Sequence, residues 1–327
     1  MLIEDSILNT WHDKTCLVSI CCLSYNQESY ITECLESILS QKTDFGFEIL
    51  IHDDASTDKT QGIIKKYAEQ YPRIIKPILQ EENQRSKLKS GMNPKFNYPR
   101  AQGKYIAFCE GDDYWSDPNK LQKQVEILNK NPKVGCVVSD YDKYIQIDLE
   151  IKPKILANAF KNLNEGVLPS TPLFSVALKQ TRTVTAMIRK ENILSFQKEE
   201  FLKGVPGDTQ LFGYLLLTSK VFLMNECTAV YRILKESISH TNSFEKKQKF
   251  MKSYNTFMIH INKMYPLGTV DRRYLKKSLK LFKIRQLAHE KKRIAVVIAS
   301  FLFILNGYLS MHIIKQIKYA FRNNNDE

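Results

Sequence analysis

The strongest constraint on the fold is the alternation of short apolar runs with helix-period stretches through the first half of the chain. Residues 16–23 form an apolar run suited to a strand buried on both faces, and residues 47–51 are strand-like. Between them Ile31, Cys34, Leu35, Ile38 and Leu39 recur at helical spacing, and Ile63, Ile64 and Tyr67 form a second helical stripe that ends near Pro72. Further strands are expected at 73–79, 105–109 and 134–138. Ser116, Asp117 and Pro118 read as a helix start, with Asp117 as N-cap and Pro118 at the first helical position. Such alternation predicts parallel βαβ units: an α/β fold whose mostly parallel sheet is sandwiched by helices.

The second half is less regular. Residues 143–172 read as an irregular excursion carrying Pro153, Gly166, Pro169 and Pro172. Strands are expected at 183–188, 221–224 and 228–232, and a helix from Gly207-Asp208 through 217. From residue 243 onward the pattern is helical and basic, a C-terminal helical extension.

In parallel sheets ligands bind outside the carboxyl ends of the strands, and polar clusters fall there: Ser24-Tyr25-Asn26, His52-Asp53-Asp54, and Glu110, Asp112 and Asp113 around Gly111. Crowded carboxylates repel, so the last cluster is either a solvated turn or a seat for a hard cation such as Mg²⁺ or Mn²⁺. Its recurrence beside two other polar strand ends favours the cation, which would neutralise a diphosphate. Asp53 and Asp54 can accept from a nucleobase or ribose, and Tyr25 offers an aromatic face. Asp208 opens a helix and reads equally as a general base or as a cap.

The seven cysteines are odd in number and sit mostly in apolar runs, without zinc spacing, so reduced thiols are expected. Residues 1–14 carry Glu4, Asp5 and Asp13 and no apolar stretch, so a cytoplasmic body is expected. From Asp271 onward thirteen Lys and Arg face four Asp and Glu, a surplus of nine out of the net +13. The excess therefore describes the tail's partner, and nucleic acid is not expected. Residues 294–314 carry no charged side chain and are flanked by Lys291, Lys292 and Arg293 and by Lys315, Lys318 and Arg322. An anionic membrane surface is the favoured partner, with a membrane span and a buried helix as alternatives.

The motifs VSICCLSYNQESYI (18–31), EILIHDDASTD (48–58), AQGKYIAFCEGDDYW (101–115) and Gly207-Asp208 through AVYR (229–232) resemble the family 2 glycosyltransferases. The resemblance spans residues 15 to about 237 and implies the GT-A fold of nucleotide-diphosphosugar transferases. It implies that Ser24, Tyr25, Asn26, Asp53 and Asp54 contact the nucleotide, with Tyr25 on the base. Asp112, with Asp113 and Glu110, would bind a divalent cation under the diphosphate. Asp208 would deprotonate the acceptor in an inverting, hexosyl-type transfer to a lipid-linked cell-surface glycan. The expected organisation is an N-terminal extension at 1–14, a catalytic domain at 15–240 and a membrane-associating tail at 241–327. That places the enzyme peripherally on the inner face of the plasma membrane. Two departures stand out: Glu110 where Asp is usual, and Leu234 where many relatives carry His, a role then lost or passed to His240. A catalytically impaired glycan-binding or scaffolding protein keeping the fold is the alternative. A phosphoreceiver module is disfavoured, because aromatics follow Asp112 and no Lys-Pro pattern follows.

Overall fold

The computed structural model describes residues 3–85, 87–88, 91–159, 165–168, 181–199, 202, 204–234, 244–264, 269–290 and 292–305. Contacts divide the chain into two units, residues 1–170 with 176–240 and residues 171–175 with 241–327.

In the first unit, strands β1 (Asp13–Ser24), β2 (Phe45–Asp53), β3 (Ile75–Leu79) and β4 (Tyr105–Phe108) pair in parallel in the order β3-β2-β1-β4. All nine residues of β2 are buried, as a strand covered on both faces requires. Helices α1 (Glu4–Leu8), α2 (Ile31–Leu39), α3 (Thr60–Gln70) and α4 (Lys120–Lys130) lie between or beside them in sequence. The five apolar positions of α2 named above are all buried, so its stripe is a core face.

The sheet continues through strands β5 (Tyr114–Trp115), β6 (Val134–Ile145), β7 (Glu150–Lys152), β8 (Gly166–Val167), β9 (Ala186–Arg189) and β10 (Lys220–Ile233). The full order is β3-β2-β1-β4-β9-β6-β10-β5, with β7 on β6 and β8 on β10. β9 runs antiparallel to both β4 and β6 and so splits the parallel half from the β6–β10 pair, itself parallel. Helices α5 (Ile155–Ala159), α6 (Lys190–Phe196) and α7 (Gly207–Thr218) also belong to the described part of this unit.

Several boundaries differ from expectation. β6 runs on to Ile145, and the stretch 143–172, expected to be irregular, carries β7, α5 and β8 among its described residues. The fourth helix starts at Lys120 with Asn119 as N-cap, because Asp117 turns its carboxylate to the Asn119 N–H (2.9 Å) and to Lys123 (2.8 Å). Residues 183–185 form a 3₁₀ turn ahead of β9. The two strands expected at 221–224 and 228–232 are one, β10, whose register slips between Met224 and Ala229.

The AQG segment of the third motif is explained by close packing. A Cβ on Gly103 would lie 2.5 Å from the Ser19 backbone N and 2.7 Å from the Val18 carbonyl carbon. Only glycine lets this chain approach β1 so closely. The buried Glu48 carboxylate ties the same point together, accepting from the Ser19 hydroxyl (2.6 Å) and the Gln102 N–H (2.8 Å). A polar residue inside an apolar strand motif thus serves backbone packing.

The second unit contains α8 (Phe244–Met264), α9 (Thr269–His289) and α10 (Arg293–Leu305). α10 packs on α9 through Ile284, Ala288, Val296 and Phe303. The Ser278 hydroxyl of α9 donates to Asn255 Oδ1 of α8 at 3.0 Å. Among the described residues no helix is long and apolar enough to cross a membrane. His240 and the part of the apolar run beyond Leu305 lie outside the described residues.

Candidate active site

The carboxyl ends of the neighbouring strands β2, β1 and β4 bring the three polar clusters to one edge of the sheet. The Asp54 N–H donates to the Ser24 carbonyl (3.0 Å) and the Gly111 N–H to the Leu23 carbonyl (2.9 Å), so the loop after β1 holds its neighbours on both sides. Gly111 is pressed against that loop. A Cβ there would lie 2.4 Å from Gln27 Oε1 and 3.0 Å from Ile31 Cδ1.

The loops after β1 and β2 interlock. Asn26 and Ala55 both adopt positive φ (52° and 64°), which sends the chain sharply out of each strand. The Asn26 N–H donates to the Ser56 hydroxyl (2.9 Å), and Asn26 Oδ1 accepts from the Thr57 N–H (2.8 Å). Asn26 therefore shapes the loop, while Tyr25 stands out from it at 49% exposure.

The two acidic pairs are each divided in role by their surroundings. Asp53 Oδ1 accepts from the Ser56 N–H (2.9 Å) and Gln61 Nε2 (2.8 Å), and Oδ2 from the hydroxyls of Ser24 (2.8 Å) and Ser56 (2.5 Å). Those bonds fill a carboxylate's acceptor capacity, so the expected contact of Asp53 with base or ribose has no oxygen left to make it. Ser24 is likewise committed to this loop. Asp54 instead accepts from the backbone N–H of Gln84 (2.7 Å) and Arg85 (3.2 Å) and so folds the segment after β3 toward the site.

In the second pair Asp113 turns inward. It is 1% exposed and its Oδ1 accepts from the Arg232 N–H at 2.8 Å. Burial, reinforced by Asp112, pushes its carboxyl well above the usual range. Asp112 is half-buried beside it. Burial first, then Asp112 with a further contribution from Asp208, pushes the Glu110 carboxyl up to about 8. Asp208 lies exposed in the first turn of α7, and Arg85 acts on the Glu110 carboxyl in the opposite sense. Among the described residues no group of three or more His, Cys, Asp or Glu side chains is gathered as a ready metal cage. The three carboxylates expected to form one seat are thus not gathered, because Asp113 faces the protein, and half-buried Asp112 and Glu110 leave an open pair. Such a pair fits a cation that draws its remaining ligands from water and a substrate diphosphate.

Under the turn, the Cys34 and Cys109 sulfurs lie 3.7 Å apart, and the Cys34 thiol donates to the Glu110 carbonyl (3.4 Å). Burial drives the Cys109 thiol up to about 11, and all seven cysteines are unbridged. Five of the seven are buried and pack, as expected, while Cys16 and Cys227 are half-buried.

Arg232 received no role from the sequence alone. Its guanidinium, 4% exposed with the rest of the residue, donates from Nη1 to the Asp112 carbonyl (2.7 Å) and from Nη2 to Glu33 Oε2 (2.5 Å). It lies 4.8 Å from the Tyr30 ring centre and 5.2 Å from that of Tyr114. β5, continuing the acidic turn, pairs with β10 at Val230 and Ala229, so strand pairing delivers Arg232 to the turn. The signal was a lone cation in an apolar strand, a residue rarely buried without partners. Arg232→Lys keeps the charge but loses the fork that reaches both acceptors. Thermal melting should fall by roughly 5 °C, the scale of a charged hydrogen bond in a domain of this size. An unchanged melting temperature would show that the fork holds nothing in place.

The profile of Glycosyl transferase family 2 matches residues 19–200. The chain is 32% identical over 241 residues to the putative teichuronic acid biosynthesis glycosyltransferase TuaG of Bacillus subtilis, covering 71% of this chain and 85% of that one. An uncharacterized protein of Mycobacterium tuberculosis is 47% identical over 118 residues, which are 36% of this chain and 32% of that protein. The chain thus spans about a third of the length of that relative. Among solved structures, S. aureus TarS with UDP-GlcNAc superposes with a TM-score of 0.58 at 18% identity, over 93% of this chain and 79% of that one. The mannosyltransferase PcManGT of Pyrobaculum calidifontis, in complex with GDP-Man and Mn²⁺, gives 0.58 at 15%, over 96% and 85%. These structural likenesses establish the shared GT-A architecture, and the profile match and the TuaG relationship show that the chain belongs to glycosyl transferase family 2.

Proposed function

We propose that the protein transfers a hexosyl group, with inversion, from a nucleotide-diphosphosugar to a hydroxyl of a lipid-linked cell-surface glycan. One observation carries the reading: the acidic turn of Glu110 and Asp112 lies on the sheet edge where β1 and β2 present Tyr25 and Asp54, the Gly111 N–H donating to the Leu23 carbonyl and the Asp54 N–H to the Ser24 carbonyl. Tyr25 stacks on the base, and Asp54 orders the wall of the nucleotide pocket through Gln84 and Arg85. Asp208 takes the proton of the acceptor hydroxyl; that oxygen bonds to the anomeric carbon as the bond to the diphosphate oxygen breaks. Asp112 would hold a Mg²⁺ or Mn²⁺, which would supply Lewis-acid stabilisation of the diphosphate leaving group. A lipid-linked acceptor places the work at the inner leaflet, and the basic tail is the part suited to hold the protein there.

The test is a panel of nucleotide-diphosphosugars read by thermal shift with Mn²⁺ and then by release of nucleoside diphosphate with acceptor present. A bound donor at about a hundred times its Kd should raise the melting temperature by roughly 5–10 °C. No shift with any donor would overturn the proposal. A shift without turnover on any lipid-linked acceptor would favour the impaired glycan-binding alternative; buried Leu234, at the position where the family resemblance implies His in many members, is the feature that points that way.

A further inference from the structure

The second unit presents two unlike surfaces. Along α9 the exposed side chains of Arg272, Lys276, Lys280 and Lys283 follow at i, i+4, i+8 and i+11, a straight basic stripe. No acidic residue occurs between Arg272 and His289. α10 is apolar on both sides. Val296 and Phe303 face α9 and are buried. Ile294, Val297, Ile298, Phe301 and Leu302 follow at i, i+3, i+4, i+7 and i+8 on the other face, exposed by between 44% and 78%. An open stripe of large apolar side chains on a single helix, next to a row of cations, is the signature of a helix lying in a bilayer interface.

We infer that α10 lies flat in an anionic bilayer, with Ile294, Ile298, Phe301 and Leu302 among the acyl chains and the α9 stripe against the headgroups. The inference rests on the peripheral association proposed above and names the surface that makes it. Charge selects the partner: a second copy of this chain would set one basic stripe near another, whereas anionic headgroups neutralise it. Packing selects the orientation. α10 is fixed to α9 at Ile284 and Ala288, so a crossing would carry Lys280 and Lys283 into hydrocarbon with it, an arrangement bilayers strongly disfavour.

The experiment is cosedimentation of the full chain with vesicles of phosphatidylcholine, alone or with phosphatidylglycerol. The wild type should bind the anionic vesicles and release in high salt. Phe301→Asp should weaken binding at least tenfold, the worth of one buried aromatic side chain replaced by a charge. Replacing Lys276, Lys280 and Lys283 with Gln should weaken it by roughly fivefold per charge. Both variants should keep the wild-type thermal shift with donor, which shows the first unit intact. If the wild type ignores anionic vesicles, peripheral association fails and the inference with it. If the wild type binds and Phe301→Asp binds equally, association stands and this face is not its surface. Resistance to alkaline extraction from membranes, or a soluble dimer that Phe301→Asp dissociates, would each overturn it.

Discussion

Asp208→Asn is expected to lower turnover by roughly a hundredfold or more while leaving donor affinity within about twofold, the pattern of a lost general base. The two roles left open by the sequence make different demands on position. A cap would sit at the N-cap, which is Pro206; Asp208 lies inside the first turn, and among the described residues its Oδ1 accepts locally, from the Thr209 N–H (2.7 Å) and hydroxyl (3.4 Å). An anion in that turn is worth only about 0.3–1 kcal/mol at an exposed site. Loss of the charge should therefore barely move the melting temperature. The exposure of Asp208 suits a base whose desolvation arrives with the acceptor, and its field already reaches Glu110. Single-turnover kinetics beside donor calorimetry read both halves. Intact turnover with a melting point several degrees lower would make Asp208 a structural residue and move the base elsewhere.

The α/β class and the placement of the polar clusters at strand ends were legible because both depend on local pattern. A strand buried on both faces must be apolar, and a parallel sheet must send its loops to one edge. What was not legible depends on partners distant in sequence. Asp53 and Asp54 look equivalent along the chain, yet Ser24, Ser56 and Gln61 saturate the first and leave the second to the segment after β3. Asp112 and Asp113 look equivalent too, until β10 arrives 119 residues later and takes Asp113. The antiparallel β9 carried no local signal of its direction, since strand polarity is set by pairing and not by composition. The slip in β10 read as two strands because Asn225 and Glu226 interrupt its apolar run, which pairing with β6 carries across.

That division of labour among the acids predicts a single dominant carboxylate for the cation. In wild type a nucleoside diphosphate should bind at least tenfold more tightly with Mg²⁺ or Mn²⁺ than with EDTA, and Asp112→Asn should remove most of the difference. Of the three candidates Asp113 accepts a hydrogen bond from the Arg232 N–H and faces inward. Glu110, with its carboxyl at about 8, is mostly protonated at neutral pH until a cation displaces the proton, so it adds little charge to first contact. Asp112 is what remains, half-buried, with its backbone carbonyl held by Arg232 at 2.7 Å so that its position is fixed from behind. Asp113→Asn is the control. The amide oxygen can still accept from the Arg232 N–H, so the inward hydrogen bond is kept, and cation dependence should change by no more than a few fold. Calorimetry with each variant separates the outcomes. Equal wild-type affinity with and without EDTA would remove the cation from the reaction, and a larger loss in Asp113→Asn than in Asp112→Asn would reverse the assignment of the pair.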